Sequence, residues 1–192
     1  MKRNNPRGTI SERGYWLNEG DGKYLVDPSL AEGIKEFLKN ENCKSLVDLG
    51  CGSGWYTRFF NSHFPCDGYD GHPDTFTNTN GLCSVLDLSY DQKFEKKYDW
   101  VMSLEVGEHI PEEYESVFIN NLHQNNTFGI ILSWAVIGQG GHGHVNCRSN
   151  EYIIRKFEDL GYIFDMDNTT QLRSISTLDW FRNTLMVFRV VL

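Results

Sequence analysis

Apolar positions along the chain switch repeatedly between two periods. Leu30, Ile34, Phe37 and Leu38 recur at helical spacing and predict a helix with one apolar face. Asp27-Pro28 suits its start, because Asp can cap and Pro is tolerated at the first helical position. Short apolar runs follow: KSLVDLG (44–50), CDGYDG (66–71), LCSVLDL (82–88), YDWVMSLE (98–105) and FGIILSWAV (128–136). Runs that are apolar nearly throughout suit strands covered on both faces. Helical spacing returns between them, from about Trp55 to Phe64, after Pro111 (Tyr114, Val117, Phe118, Leu122), and near 150–160 (Ile153, Phe157, Leu160) with Gly161 closing the last. The C-terminal stretches YIFDMDNTTQLRS and NTLMVFRVVL predict two more strands around a short turn containing Trp180. Strand, helix, strand repeated in this way predicts an α/β fold with a parallel sheet and right-handed crossovers. The closing pair would form a hairpin and add an antiparallel strand.

Composition narrows the class. A chain of 192 residues, 40% hydrophobic and 14% aromatic, reads as one soluble domain. No apolar run approaches the roughly 20 residues of a membrane span, and the basic N-terminus lacks the apolar core of a secretory signal. Five cysteines (43, 51, 66, 83, 147) without a framework spacing read as free thiols, which points to a cytoplasmic protein. The net charge of −8 argues against a broad nucleic-acid surface, because such binding rests on neutralising phosphates. Residues 1–43 read as an arm plus a cap helix and 44–192 as the core. The arm carries Tyr15, Trp16 and Tyr24, aromatics suited to a lid or to holding a substrate.

VDLGCGSGWY is the strongest chemical signal. Gly50, Gly52 and Gly54 follow an apolar strand and open a helix, where they permit a sharp turn and close approach of a ligand to the backbone. The dinucleotide fingerprint G-x-G-x-x-G does not fit, since Trp55 or Thr57 stands at the third glycine position. Asp48 disfavours a pyrophosphate and suits a ligand with a cationic part, such as an amino acid or a sulfonium.

With these residues the chain resembles the class I S-adenosylmethionine (SAM)-dependent methyltransferases, over about residues 44 to 190. Their glycine motif reads as VDLGCGSG does here. Their next acid, which takes the ribose hydroxyls, matches Asp70, followed by Gly71. Their third, at the adenine, matches Asp87, with Leu86 and Leu88 flanking the ring. The resemblance implies a seven-stranded, mostly parallel sheet with helices on both faces and the last strand antiparallel. It also implies a SAM site built from Asp48, Gly50, Gly52, Tyr56, Asp70 and Gly71 on one side, and Asp87, Leu88, Leu104 and Glu105 on the other. The chain departs from the family where a helix is usual between the second and third strands. Only the polar stretch HPDTFTNTN (72–80) stands there, and His72 and Phe76 are candidates to replace the missing wall.

SLEVGEHIPEEY (103–114) places Glu105, Glu108 and His109 at the mouth of the fourth strand, where α/β sheets bind ligands. The loop after the fifth strand opens at the same end and brings Gln139, His142, His144 and Asn146; Trp134 ends that strand. Trp134, His142 and Asn146 are candidate substrate contacts. Two chemistries compete for the acidic and imidazole groups. Glu105, Glu108, His109 and His144 suit a divalent metal, as in related methyltransferases with a similar Glu-x-x-Glu-His set and a later histidine. Without a metal, His109 or His144 would act as general base, with Glu108 beside them, or hold the substrate. A third reading has Glu108 and His109 merely cap the next helix. The reading that unites these features is methyl transfer to a small-molecule nitrogen or oxygen, with RNA or protein methylation, or a non-catalytic SAM-binding scaffold, as rivals.

Overall fold

The computed structural model describes residues 7–20 and 24–191. Its strands and helices run β1 (Arg7–Ile10), β2 (Trp16–Gly20), α1 (Pro28–Asn40), β3 (Leu46–Leu49), α2 (Trp55–Asn61), β4 (Cys66–Asp70), α3 (Thr75–Asn78), β5 (Cys83–Val85), β6 (Tyr98–Leu104), α4 (Glu115–Gln124), β7 (Asn126–Ser133), α5 (Asn150–Asp159), β8 (Tyr162–Phe164), α6 (Met166–Ile175), α7 (Asp179–Thr184) and β9 (Met186–Val190). Seven strands form one sheet in the order β5-β4-β3-β6-β7-β9-β8. β3, β4, β5, β6 and β7 pair in parallel, and β9 runs antiparallel to both neighbours. The α/β class, the seven strands and the antiparallel last strand are as the sequence and its family resemblance led one to expect.

Side-chain alternation explains why the strands are apolar throughout. Trp100, Met102, Ile131 and Val187 face one helical layer, with Leu30, Ile34 and Phe60. Their neighbours Val101, Ile130, Leu132, Met186 and Phe188 face the other, with Phe118 and Phe157. Both faces are therefore buried, and the middles of these strands are apolar at successive positions.

Three local readings change. The polar stretch after β4 does form a short helix, α3, although Phe76 on it is 60% exposed. Helix α2 ends at Asn61 rather than near Phe64. The expected C-terminal hairpin is instead two antiparallel neighbours separated by α6 and α7. Asp165 caps α6, accepting from the Asn168 amide at 3.0 Å. Ile175 lies against Gly33 of α1, a close approach that a side chain at 33 would block. α6 is polar outside and touches the core through few residues, chiefly Leu172 and Thr169, so no apolar period announces it.

Asp27 ties the ends of these helices together. Its carboxylate accepts from the Leu30 amide (3.0 Å), the Ser176 hydroxyl (2.7 Å) and the amides of Thr177 (2.6 Å) and Leu178 (3.0 Å). Burial alone would push this carboxyl up, but the Ser176 hydroxyl and the three amides hold it below its ordinary value. Its own N–H donates to the Tyr56 hydroxyl at 2.8 Å, which fixes that ring at the cavity. No helix among the described residues is long and apolar enough to cross a membrane. The five cysteines are free thiols, four of them buried.

Candidate active site

Strand order reverses between β3 and β6, and open α/β sheets bind ligands at such a switch point. A cavity of about 540 Å³ lies there, at the carboxyl ends of the strands. That volume is within the range of small-molecule sites.

Its glycine end is built by backbone geometry. Gly50 turns the chain out of β3 at φ 85°, and a Cβ on it would lie 2.3 Å from the Val106 side chain. Only glycine lets the β3 turn meet the β6 exit so closely. The amides of Gly50 and Cys51 donate to the Tyr69 carbonyl at 2.7 and 3.0 Å, and the Gly52 amide donates to Asp70 at 2.9 Å. The His72 amide satisfies the other Asp70 oxygen, also at 2.9 Å. Asp87 accepts from the Ser89 amide (2.9 Å) and hydroxyl (2.6 Å). Asp48 is buried and accepts from Thr57 at 2.8 Å. Burial, only partly countered by that hydroxyl, lifts its carboxyl to about 7. Burial also raises Asp70, against the lowering effect of the His72 and Gly52 amides.

The histidine end is different. Glu108 is fully buried, yet neither of its carboxylate oxygens has a hydrogen-bond partner among the described residues. Burial, and then the nearby charge of Glu105, push its carboxyl well above the usual range. Glu108, His109 and His144 each offer one ligand atom, and these atoms lie within 4.8 Å of one another. His144 Nε2 stands 3.9 Å from Glu108 Oε1. His109 Nδ1 contacts the Gly143 carbonyl at 3.1 Å, and His144 Nδ1 contacts the Gln139 carbonyl at 3.2 Å. A carbonyl only accepts, so both Nδ1 atoms carry the proton and both Nε2 atoms keep a free lone pair. Burial, with the neighbouring His144, lowers His109 to about 4 and keeps it neutral. A bare buried carboxylate beside two imidazoles anchored through Nδ1 fits a divalent cation. Helix capping does not account for the pair, since the 3-10 turn at Glu112–Tyr114 and helix α4 have no side-chain cap.

The β1–β2 hairpin roofs the cavity. Tyr15 packs against Gly71, where a Cβ would meet it at 2.5 Å. The Trp16 ring lies 5.3 Å from that of His142 and 6.1 Å from that of His109. Arg13 sits over the Tyr90 ring at 4.1 Å and donates to Ser89 at 2.8 Å, which latches the hairpin to the Asp87 loop.

The cavity brings together Asp48, Gly50, Gly52, Tyr56, Asp70, Gly71, Asp87, Leu88, Leu104 and Glu105. Tyr15, Trp16, Tyr24, His109, His142 and His144 line it as well. Glu108 lies directly behind His109, fully buried. Two candidate substrate contacts fall elsewhere. Trp134 is wholly buried, packs on Phe118 and donates from Nε1 to the Asn146 carbonyl at 2.6 Å. Asn146 is buried too and donates to Glu115 at 3.1 Å. Both are core residues that shape the loop from behind. His72 and Phe76 are also absent from the wall. Gln139, which the loop after the fifth strand was expected to bring to this end, lines the cavity too, whereas Trp55, Trp180 and Phe181 line it and were not singled out in the sequence for a role there. The aromatic run on α2 and α7 was the available signal for these three.

No family model matches the sequence. A chloroplastic tocopherol O-methyltransferase of Arabidopsis thaliana is 28% identical over 151 residues, which cover 70% of this chain and 40% of that protein. The chain thus spans less than half of that relative's length. Among solved structures, Streptomyces venezuelae DesVI superposes with a TM-score of 0.65 at 13% identity, covering 85% of this chain and 91% of that one. Magnesium protoporphyrin IX methyltransferase of Synechocystis PCC 6803, with bound SAM, gives 0.62 at 17%, covering 88% and 87%. The methyltransferase domain of bacterial CtHen1 gives 0.60 at 19%, covering 85% and 98%. The chain has the fold of the class I SAM-dependent methyltransferases.

Proposed function

We propose that this chain is a SAM-dependent methyltransferase acting on a small-molecule nitrogen or oxygen nucleophile. One observation carries the reading: a single cavity at the switch point joins the glycine turn and its ordered acids to His109 and His144, which cluster with the buried Glu108. Asp70 would hold the ribose hydroxyls of SAM, Asp87 and Leu88 the adenine, and Glu105 with the Gly50–Gly52 turn the amino-acid end. SAM supplies a methyl group activated on a sulfonium, so the protein's task is binding and alignment. Glu108, His109 and His144 would hold a divalent cation, which supplies a Lewis acid for an acceptor oxygen. Trp16 and Tyr15 close the cavity and exclude water. The methyltransferase names of the tocopherol relative and the magnesium protoporphyrin neighbour support the reaction type. The net charge of −8 supports a small acceptor over a nucleic acid, and the free thiols support a reducing, cytoplasmic setting.

The test is incubation with methyl-labelled SAM and a metabolite extract, with and without chelator. Label should pass to a small product, and chelator should suppress it. Calorimetry should show binding of SAM and none of NAD. Binding of SAM with no labelled product from any extract would instead favour a scaffold.

A further inference from the structure

Glu105 and Glu108 are three residues apart and near enough for their charges to interact, yet only Glu105 lines the cavity and their surroundings are opposite. Glu108 has no partner on either oxygen. Glu105 has a donor on each: Gln139 Nε2 gives a hydrogen bond to Oε2 at 2.8 Å, and Thr184 Oγ1 gives one to Oε1 at 3.1 Å. The Glu105 backbone is left-handed at φ 55°, an uncommon conformation for a residue with a side chain. Its amide is fixed by the Ser133 hydroxyl at 2.8 Å. The chain therefore turns sharply at the end of β6, and the carboxylate lands where two donors wait.

Gln139 is itself held on all sides. Its amide donates to the Val136 carbonyl at 2.9 Å, and its Oε1 accepts from the Val136 amide at 3.4 Å. The second contact decides which end of the side-chain amide faces Glu105, because only the NH₂ end can donate. Its carbonyl accepts from His144 Nδ1 at 3.2 Å. One residue of a glycine-rich loop thus contacts both the Glu105 carboxylate and the His144 imidazole. A carboxylate with a donor on each oxygen has little reason to leave for an ion, whereas Glu108 has every reason to accept one.

We propose that Gln139 is a positioning residue: with Thr184 it holds Glu105 toward the glycine turn and out of the metal set. Glu108, His109 and His144 then carry the ion alone, and coordination positions stay open for acceptor oxygens. Glu105 serves the cationic amino group of the donor. The inference rests on the methyltransferase reading above and deepens it, since the sequence left Glu105 shared between the donor site and a four-residue metal set.

The experiment titrates S-adenosylhomocysteine by calorimetry, and Mn²⁺ by its spin-resonance signal, into the full chain and three variants. Melting temperatures are recorded in parallel. Gln139→Leu and Glu105→Gln should each weaken S-adenosylhomocysteine about tenfold, the loss of one good charge-assisted hydrogen bond, and leave Mn²⁺ within about threefold. Glu108→Gln should do the reverse, with Mn²⁺ weakened on the order of 100-fold. Equal loss of Mn²⁺ in Glu105→Gln and Glu108→Gln would put Glu105 back among the ligands and overturn the proposal. So would a Gln139→Leu variant that binds S-adenosylhomocysteine normally, or one that loses both ligands together with its melting temperature, as a merely structural residue would. Wild-type protein that binds S-adenosylhomocysteine but no Mn²⁺ would overturn the three-ligand set and leave Gln139 to be decided by the first titration. Wild-type protein that binds neither would sink the methyltransferase reading itself.

Discussion

The two ends of the cavity are finished to different degrees. At the glycine end every acid has a partner: Asp70 takes two backbone amides, Asp87 takes Ser89, and Asp48 takes Thr57. At the histidine end Glu108 is buried with none. Protein groups have already satisfied the first end, so its ligand adds contacts to a rigid frame. The second end buries a carboxyl with no hydrogen-bond partner, which costs stability until a cation supplies one. One end is built for stability and binding together, and the other trades stability for chemistry.

The largest expected effect tests that trade. Glu108→Gln should cut turnover about 10³-fold, several kcal/mol of transition-state stabilisation. The same change should raise the melting temperature of the metal-free protein by roughly 2–4 °C, since removing about 1 kcal/mol of buried strain shifts a domain of this size by that much. A variant that loses activity and also melts lower would break the comparison. Asp70→Ala should behave oppositely, weakening S-adenosylhomocysteine about 100-fold, near 3 kcal/mol, while lowering the melting temperature because two backbone amides lose their acceptor. Calorimetry and a thermal scan check both at once. Next comes Trp16→Ala, which uncovers His109 and His142; KM for the acceptor should rise about tenfold through lost aromatic contact, with SAM affinity little changed.

The remaining test is a pH dependence at the glycine end. Asp48 has an ordinary value of 3.8 and a folded value near 7. Between these, the unfolded chain ionises this group and the folded chain does not. Its contribution therefore favours the fold most below pH 3.8 and declines as pH rises to about 7, where it levels off. The stability advantage of Asp48→Asn over wild type should grow across that window and stay flat above it. A difference that is constant from pH 4 to 8 in denaturant titrations would show that Asp48 ionises normally.

The glycine end was legible in the sequence because each part is local. A strand, a turn that demands glycine, and an acid at each following strand end occur in chain order, and the family resemblance assigned them. The histidine end was legible only as composition. EVGEH and HGH marked the right segments, but whether Glu105 faces an ion or Gln139 depends on a left-handed turn and on Thr184, 79 residues away. Trp134 and Asn146 show a related limit. Each lies near cavity residues in the chain (Gln139 and His144), yet side chains past a strand end no longer alternate predictably, and both turn into the core. Helix α6 was missed because its packing rests on a close approach at Gly33, a contact between distant segments with no periodic trace.

The hairpin over the cavity has a kinetic consequence. Tyr15 rests on Gly71 at one end and Trp16 on the two histidines at the other, so a single element covers both compartments. When it lifts, both are exposed to solvent together. On the proposed reading, spent donor and product would share one exit, and the contacts of Arg13 with Ser89 and Tyr90 would hold it shut.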